Sequence, residues 1–270
     1  MKNCLVTKLK GTVNNDNLEK LGAFTFNVVS GGTSTYVRFG ADQSDVVLKI
    51  IGDSHWTDSG GTADYGKELT IAAGSEVGYI RYTDFTGVIE VHNKYNVTGY
   101  ITADATHLFS TKGLDCTKFK SANSSNGAMS GYVSELPVSL TSFTFIQNDA
   151  FKGDFNDFAR LINLETLQVN ANATAPIIPG NISVLGSLVS LTKLRFPGIT
   201  GSIEGFVAAQ RGNGRTSVAS SSPVKLVDMN KTTVTFNGAT ITASGEKNLY
   251  WDATSITFDG TTISNSAIVS

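Results

Sequence analysis

A short apolar pattern returns three times in the middle of the chain and limits its possible folds more than any other feature. Each copy has apolar residues at its first, fourth and sixth positions. The copies are Leu140-Thr-Ser-Phe143-Thr-Phe145, Leu164-Glu-Thr-Leu167-Gln-Val169 and Leu191-Thr-Lys-Leu194-Arg-Phe196. Phe143 and Leu167 are 24 positions apart, and Leu167 and Leu194 are 27 apart. These periods are typical of a solenoid built from stacked coils.

The spacing inside each copy indicates a strand that covers an inner core. Alternate residues of a strand point to the same face, so Leu167 and Val169 share one face and Gln168 points to the other. One coil cannot bury such residues alone, whereas stacked coils cover one another and pair their strands in parallel. We therefore expect the strands at 143–145, 167–169 and 194–196 to lie side by side in one parallel sheet.

A second pattern, apolar-x-Gly-x-apolar, keeps step with the first. Its copies are Met129-Ser-Gly131-Tyr-Val133, Phe151-Lys-Gly153-Asp-Phe155 and Ile199-Thr-Gly201-Ser-Ile203. With both patterns, about a third of the chain, residues 114–207, resembles the leucine-rich-repeat family, in the form whose convex side carries a Gly-x-Ile segment. Asn148 and Asn172 follow two of the strands, where a side-chain amide can bond backbone groups at a coil corner. Residues 173–183 depart from the pattern, and we expect an irregular coil there.

The composition favours a mainly β protein and excludes several classes of function. Charged residues make up only 16% of the chain, and its 27 glycines accompany many Ser, Thr and Asn residues, which favours strands and turns over helices. The net charge of −2 and the lack of a Lys/Arg run argue against a nucleic acid partner. No stretch is long and apolar enough for a membrane span. The first residues lack the apolar core of a signal peptide, so we expect synthesis in a cytosol without export by the general route.

The patterns divide the chain into four parts. We assign residues 1–22 to an N-terminal arm and residues 101–210 to the leucine-rich-repeat-like solenoid. Alternating apolar segments separated by Gly-rich turns predict a β-sandwich or small barrel at residues 23–100. Residues 211–270 are predicted to form a β-hairpin cap.

The cap contains a duplication of its own. Val234-Thr-Phe-Asn-Gly-Ala-Thr-Ile-Thr242 returns 22 positions later as Ile256-Thr-Phe-Asp-Gly-Thr-Thr-Ile-Ser264. Asn-Gly and Asp-Gly between alternating segments are signals of two-residue hairpins. The two copies form either a pair of hairpins or two final coils that cover the open end of the solenoid. Residues 210–217 and 220–223 are expected to be exposed loops.

The sequence contains one polar loop that could hold a functional site and no complete catalytic or metal-binding motif. The loop contains Asp53, His55, Asp58 and Asp64, but the ligand order of a calcium loop is absent. We interpret it as a surface loop whose Trp56 packs on the sandwich, with a bound cation as the alternative. His92 and His107 have no partner at metal-ligand spacing. Whether Cys4 and Cys116 form a disulfide is left open.

Two further features have alternative interpretations. Asp154, Asp157 and Glu165 are candidates for a glycosidase pair, whose separation only a structure can measure. Trp251 is either an exposed aromatic for binding or a packing residue, and packing is the commoner role. Since no motif is complete, we predict no catalytic, cofactor-binding or metal-binding residue and a protein that is not an enzyme.

The first 22 residues carry a second resemblance. Met1-Lys-Asn-Cys-Leu-Val-Thr-Lys-Leu-Lys-Gly-Thr-Val-Asn-Asn-Asp-Asn-Leu-Glu-Lys-Leu-Gly22 resembles the start of virion proteins from phages and prophages of Bacteroides-type gut bacteria. The resemblance implies a capsid, tail or fibre component in a symmetric multi-copy assembly, located in the virion. Its partners would be other virion proteins, or a protein or glycan of the host surface. The alternatives are a leucine-rich-repeat adhesion protein at the bacterial surface and a glycan-active enzyme.

Overall fold

A computed structural model describes residues 21–28, 35–51, 56–57, 64–82, 86–93, 96–103, 107–110, 121–124, 129–146, 151–170 and 178–264. The described chain is mainly β, as the sequence predicts. Residues 1–20 and 116 lie outside it, and with them Cys4 and Cys116. Whether these cysteines form a disulfide therefore stays open.

Ten strands form the first part of the described chain. They are β1 Leu21–Val28, β2 Thr35–Ala41, β3 Val46–Ile51, β4 Trp56–Thr57, β5 Asp64–Gly66, β6 Glu68–Ile71, β7 Glu76–Tyr82, β8 Thr86–His92, β9 Val97–Ala103 and β10 His107–Ser110.

Short strands alternate with short helices in the repeat region. The strands are β11 Ser121–Ser124, β12 Met129–Tyr132, β13 Ser142–Ile146, β14 Phe151–Lys152, β15 Thr166–Asn170, β16 Gly180–Asn181, β17 Lys193–Arg195, β18 Ile199–Ser202 and β19 Val224–Val227. The helices are the 3-10 helices Val133–Glu135, Phe155–Arg160 and Ile182–Ser187, and the α-helix α1 Ile203–Gly212.

The last part of the chain returns to antiparallel strands. Its elements are the 3-10 helix Met229–Lys231, β20 Thr233–Phe236, β21 Ala239–Thr240, β22 Glu246–Trp251, β23 Ser255–Phe258 and β24 Thr261–Ser264. Asn237 and Asp259 open the two tight turns with positive φ angles of 51° and 47°, and Gly238 and Gly260 complete them. Both copies of the duplicated segment are therefore hairpins, which settles the alternative that the sequence left open.

Two large open sheets run through most of the described chain. One has eleven strands in the order β24-β23-β22-β19-β17-β15-β13-β11-β9-β2-β7, and the other has seven in the order β14-β12-β10-β1-β8-β3-β6. A third sheet, β16-β18-β20-β21, extends the convex side of the later coils. Since neither large sheet closes on itself among the described strands, the barrel alternative for residues 23–100 is wrong. The sandwich alternative agrees with buried side chains from both sheets, such as Phe39 and Val91.

The central sheet confirms the predicted register of the repeat. Phe143 lies opposite Leu167, and Leu167 lies opposite Leu194, on parallel strands. A further strand, β19, adds Leu226 opposite Leu194. All four side chains are fully buried, so each coil covers the inner face of its neighbour.

The glycines of the second pattern allow close contact between coils. A Cβ atom on Gly180 would lie 2.1 Å from the ring of Phe155 in the preceding coil, and one on Gly201 would lie 2.3 Å from Oδ1 of Asn181. The next residue of each copy then caps a helix. Asp154 and Asn181 accept hydrogen bonds from the backbone N–H groups of Asn156 and Ser183, each at 2.9 Å. The pattern thus combines coil stacking with helix initiation.

Two sequence expectations for the repeat region need correction. The irregular coil expected at 173–183 is wrong for residues 178–183, and residues 173–177 lie outside the described residues. Ile178-Pro-Gly180-Asn-Ile182 is a further copy of the glycine pattern, and β16 pairs with β18. Residues 210–212, expected to be loop, end α1, which is longer than the helices of the earlier coils. Because of the longer helix and the segment after it, Leu194 and Leu226 are 32 positions apart. This spacing exceeds the 24 and 27 positions of the earlier copies, so the repeat period did not reveal this coil.

Candidate binding surfaces

The solvent side of the parallel sheet is a regular polar surface, which we call the polar face. It consists of the side chains of β13, β15, β17 and β19 that alternate with the buried ones. Along one row, Thr144, Gln168 and Arg195 lie opposite one another in register. The second row contains Ser142, Thr166, Lys193 and Lys225.

Three cations and two carboxylates give the polar face its charge. Arg195 binds Asp228 with an N–O distance of 2.7 Å, and Lys225 binds Glu246 at 2.7 Å. The hydrogen bond from Lys225, with the positive charges of Lys225 and Lys193, holds the pKa of Glu246 below its usual range. Like charges directly opposite on neighbouring strands are unfavourable, so Glu246 offsets the repulsion between the two lysines.

Gln210 anchors the last helix to the preceding coil beneath this surface. The side chain is fully buried on α1, and its Nε2 donates to the carbonyls of Leu185, Gly186 and Leu188 at 3.0–3.2 Å. Those carbonyls lie at the end of a 3-10 helix, where those of Leu185 and Leu188 also accept from the N–H groups of Leu188 and Leu191, both at 3.0 Å. Gln210 adds a donor for the Gly186 carbonyl, as is needed at a helix end. Sequence reasoning placed Gln210 in an exposed loop and missed this role. The match of Pro223-Val-Lys-Leu226 to Leu191-Thr-Lys-Leu194 could have revealed the additional coil.

Arg215 and Trp251 continue this network toward the cap. Nη1 of Arg215 donates to the Leu191 carbonyl at 2.7 Å and to Oε1 of Gln210 at 3.2 Å. Its guanidinium carbon lies 5.5 Å from the Trp251 ring centroid, and partial burial lowers its pKa. Trp251 is only 2% exposed, and its Nε1 donates to the Arg215 carbonyl at 3.3 Å. The packing interpretation of Trp251 is therefore confirmed.

A groove of about 450 Å³ lies between the two hairpins, and we call it the hairpin groove. The buried part of its lining, which we call the floor, is apolar and consists of Phe236, Ile241 and Phe258. The exposed part of the lining is mainly polar and includes Thr240, Thr242, Ser244 and Thr261. The rings of Phe236 and Phe258 meet edge to face, with centroids 5.6 Å apart. At the rim, Lys247 and Asp259 pair with an N–O distance of 3.1 Å, so the lining has no net charge.

The polar loop proposed as a cation site lies mostly outside the described residues. This holds for Asp53, His55 and Asp58, while Trp56 lies in β4. Asp64 is exposed, and its Oδ1 accepts a hydrogen bond from the Gly66 N–H at 2.8 Å. Asn148 and Asn172, expected at coil corners, also lie outside the description. Within the described residues, no group of three or more His, Cys, Asp and Glu side chains is arranged to hold a metal ion.

Two of the three candidate carboxylates, Asp154 and Asp157, have structural roles. Asp154 caps the helix Phe155–Arg160, and Asp157, within that helix, acts electrostatically on Arg160. Burial, opposed by Asp157, lowers the pKa of Arg160, which donates to the Val133 carbonyl at 2.6 Å. Glu165 is exposed and immediately precedes β15, on a different element from Asp154.

The described histidines are dispersed. His92 lies in β8, and its Nε2 is 3.8 Å from Oε2 of Glu90, which is beyond hydrogen-bond distance. His107 lies in β10, and His55 lies outside the described residues. These positions place His92 and His107 on separate strands.

Comparison with known proteins identifies no family for this chain. No family model matches the chain, and no curated protein sequence matches it. Among solved structures, the chain is similar to an internalin from Listeria monocytogenes, with 15% identity and a TM-score of 0.26. The match covers 46% of this chain and 39% of the internalin chain. At this score the likeness carries no argument, and the solenoid is defined by the strand register itself.

Helices in the described part of the chain are short. None of them combines the length and apolar character needed to cross a membrane.

Proposed function

We propose that this chain is a non-enzymatic structural protein of a phage virion that binds its neighbours through the polar face. It is synthesised in the bacterial cytoplasm and acts in a symmetric multi-copy assembly. Its partners are other virion proteins, or a protein or glycan of the host surface.

The observation that carries the binding part of this proposal is the construction of the polar face. Its backbone is held by a fully buried core, so its side chains start from fixed backbone positions in two rows. A partner that binds this face does not need to order the backbone of these strands, although long side chains still lose rotamer freedom. The assignment to a virion rests on the resemblance of residues 1–22.

The virion assignment is tested by fractionating a culture that produces the chain. Particles released by lysis are separated on a density gradient, and the chain is quantified by mass spectrometry beside the major capsid protein. We expect the chain to follow the particles at a constant ratio. Recovery in the bacterial envelope fraction would instead favour the surface-adhesion alternative, and recovery only as free protein would contradict both.

The role of the polar face is tested by reversing one charge on it. Lys193→Glu changes a cation that lies between Thr166 and Lys225 on this face, and Lys231→Glu makes the same change on the exposed 3-10 helix Met229–Lys231. We expect Lys193→Glu to reduce incorporation into particles about tenfold, which corresponds to about 1.4 kcal/mol. Equal incorporation of both variants would show that the polar face does not bind the partner.

A further inference from the structure

The hairpin groove has an open backbone edge along one wall. In the segment after β21, Ile241 donates its N–H to the Val234 carbonyl at 2.9 Å. The carbonyls of Ala243 and Gly245 accept from the N–H groups of Asn230 and Asp228, at 2.9 and 2.8 Å. Odd-numbered residues therefore bond toward the neighbouring segment, as in a strand.

The even-numbered residues of this segment direct their backbone groups to the other side. Thr242 and Ser244 have no hydrogen-bond partner among the described residues, and both line the hairpin groove. An unpaired strand edge is a template for another extended segment. Here the edge borders the apolar floor of Phe236, Ile241 and Phe258.

This combination defines the chemistry of the occupant. Backbone groups of an extended segment would pair with Thr242 and Ser244, and every second side chain would reach the apolar floor. The Lys247–Asp259 pair leaves no net charge on the lining, so the inward side chains should be uncharged. The outward side chains would remain in water and can carry charge.

The first ten residues of the chain have this pattern. If this segment is extended, one face carries the uncharged residues Asn3, Leu5, Thr7 and Leu9. The opposite face carries Lys2, Lys8 and Lys10. Residues 1–22 contain four Lys and two acidic residues, a net charge of +2. Since the whole chain has a net charge of −2, the remaining residues carry −4, and a copy of the arm is attracted to the body of another copy.

We propose that the hairpin groove binds residues 1–10 of a second copy of this chain as an added strand. This inference rests on the proposed multi-copy assembly and names one of its contacts. The contact is head-to-tail, because the arm and the groove are different parts of the chain, and repeated contacts of this kind produce rings or filaments.

The test measures self-association of the full chain by sedimentation velocity over a range of concentrations. Leu9→Asp places a charge on the inward face of the arm, and Val6→Asp is the matched control on its other face. Thr242→Pro removes the free N–H of the groove edge, and Thr242→Ala keeps it. We expect Leu9→Asp and Thr242→Pro each to weaken self-association at least about tenfold relative to their controls, with unchanged melting temperatures.

Amide exchange identifies the occupant. Protection of the Thr242 and Ser244 amides should rise with protein concentration in the unmodified chain and be lost in Leu9→Asp. A chain that stays monomeric would overturn the proposal. Protection that is independent of concentration and disappears when residues 265–270 are deleted would overturn it as well, because the groove would then be filled from the same chain.

A third possibility is also decided by these measurements. If Leu9→Asp unfolds the chain, the arm belongs to the chain's own core. In that case Thr242→Pro, which keeps the arm intact, leaves self-association unchanged. The particle fractionation is independent of all these results. If the chain is found in particles but the purified chain stays monomeric, only the groove contact is contradicted. If the purified chain associates through the groove but is not found in particles, only the virion assignment is contradicted.

Discussion

At the residue scale, Gln210 shows how one side chain can complete the backbone hydrogen bonding of a neighbouring coil. Replacing it with Leu removes the side-chain donor of the Gly186 carbonyl, whereas the carbonyls of Leu185 and Leu188 still accept from the N–H groups of Leu188 and Leu191. An unpaired buried polar group costs about 1–3 kcal/mol. We expect Gln210→Leu to lower the free energy of unfolding by roughly 1–3 kcal/mol in urea titrations.

The control for this change is Asn248→Leu on the exposed side of β22. It makes a similar amide-to-leucine change on the surface, where substitutions usually stay within about 0.5 kcal/mol. Equal effects of the two variants would contradict the anchoring role of Gln210.

A second residue-scale prediction concerns acid. Backbone and side-chain hydrogen bonds from Thr254, followed by those from Ser255, hold the pKa of Asp252 down to about 2. Because the folded state depresses this pKa, the ionised group stabilises the fold above the ordinary pKa of an Asp and loses this effect as pH falls toward 2. A carbon-detected NMR titration should place the Asp252 midpoint near 2.

The matched variant for this titration is Asp252→Asn. Its melting temperature should fall less than that of the unmodified chain between pH 4 and pH 2, since it lacks the titrating group. Parallel losses in both proteins would contradict a stabilising role for the carboxylate.

At the element scale, the coils depend on glycine at one corner. Gly180→Ala places a methyl group within 2.1 Å of the Phe155 ring, so two coils must separate or Phe155 must shift. We expect a loss of about 1–3 kcal/mol, the range for overpacked cores. Gly212→Ala is the control, because its added Cβ would meet nothing within 4 Å. The control should be neutral or stabilise α1 by up to about 1 kcal/mol.

The inward face of the parallel strands gives a second prediction at this scale. Leu167 is fully buried between Phe143 and Leu194. Leu167→Ala should destabilise the protein by roughly 2–5 kcal/mol, measured by chemical unfolding, since it leaves a cavity in the core. Thr166→Ala, which changes an outward neighbour in the same strand, should have a much smaller effect.

At the scale of the whole molecule, the central sheet joins the predicted sandwich to the predicted solenoid. Strand β9 pairs with β2 on one side and with β11 on the other. Because unfolding either part would leave an open edge on β9, we expect one calorimetric transition. The division of the chain into four parts at residues 22, 100 and 210 stays a prediction, and calorimetry tests it. Two separate transitions would show that the parts unfold independently.

The position of the cap at the end of the solenoid is also a property of the whole molecule. The first hairpin, β20 and β21, extends the convex sheet through the pairing of β20 with β18. The second hairpin, β23 and β24, extends the central sheet beyond β22. The duplicated segment therefore ends both sides of the solenoid, and the hairpin groove lies where the two copies diverge.

Features that depend on local spacing follow directly from the order of the residues. Alternation fixed which of Leu167 and Gln168 points inward, and the period placed Leu167 beside Leu194. Asn237-Gly238 and Asp259-Gly260 fixed the hairpin turns, because their backbone angles suit few other residues.

Contacts between segments far apart in sequence could not be predicted before the fold was known. Gln210 donates to the Leu185 carbonyl because α1 lies against the preceding coil. The two residues are 25 positions apart in sequence, so a local pattern cannot predict this contact. The same is true of the hairpin groove, whose walls come from two hairpins assigned to different sheets. Local periodicity sets the direction of a side chain, whereas the neighbour it meets depends on how coils of unequal length stack.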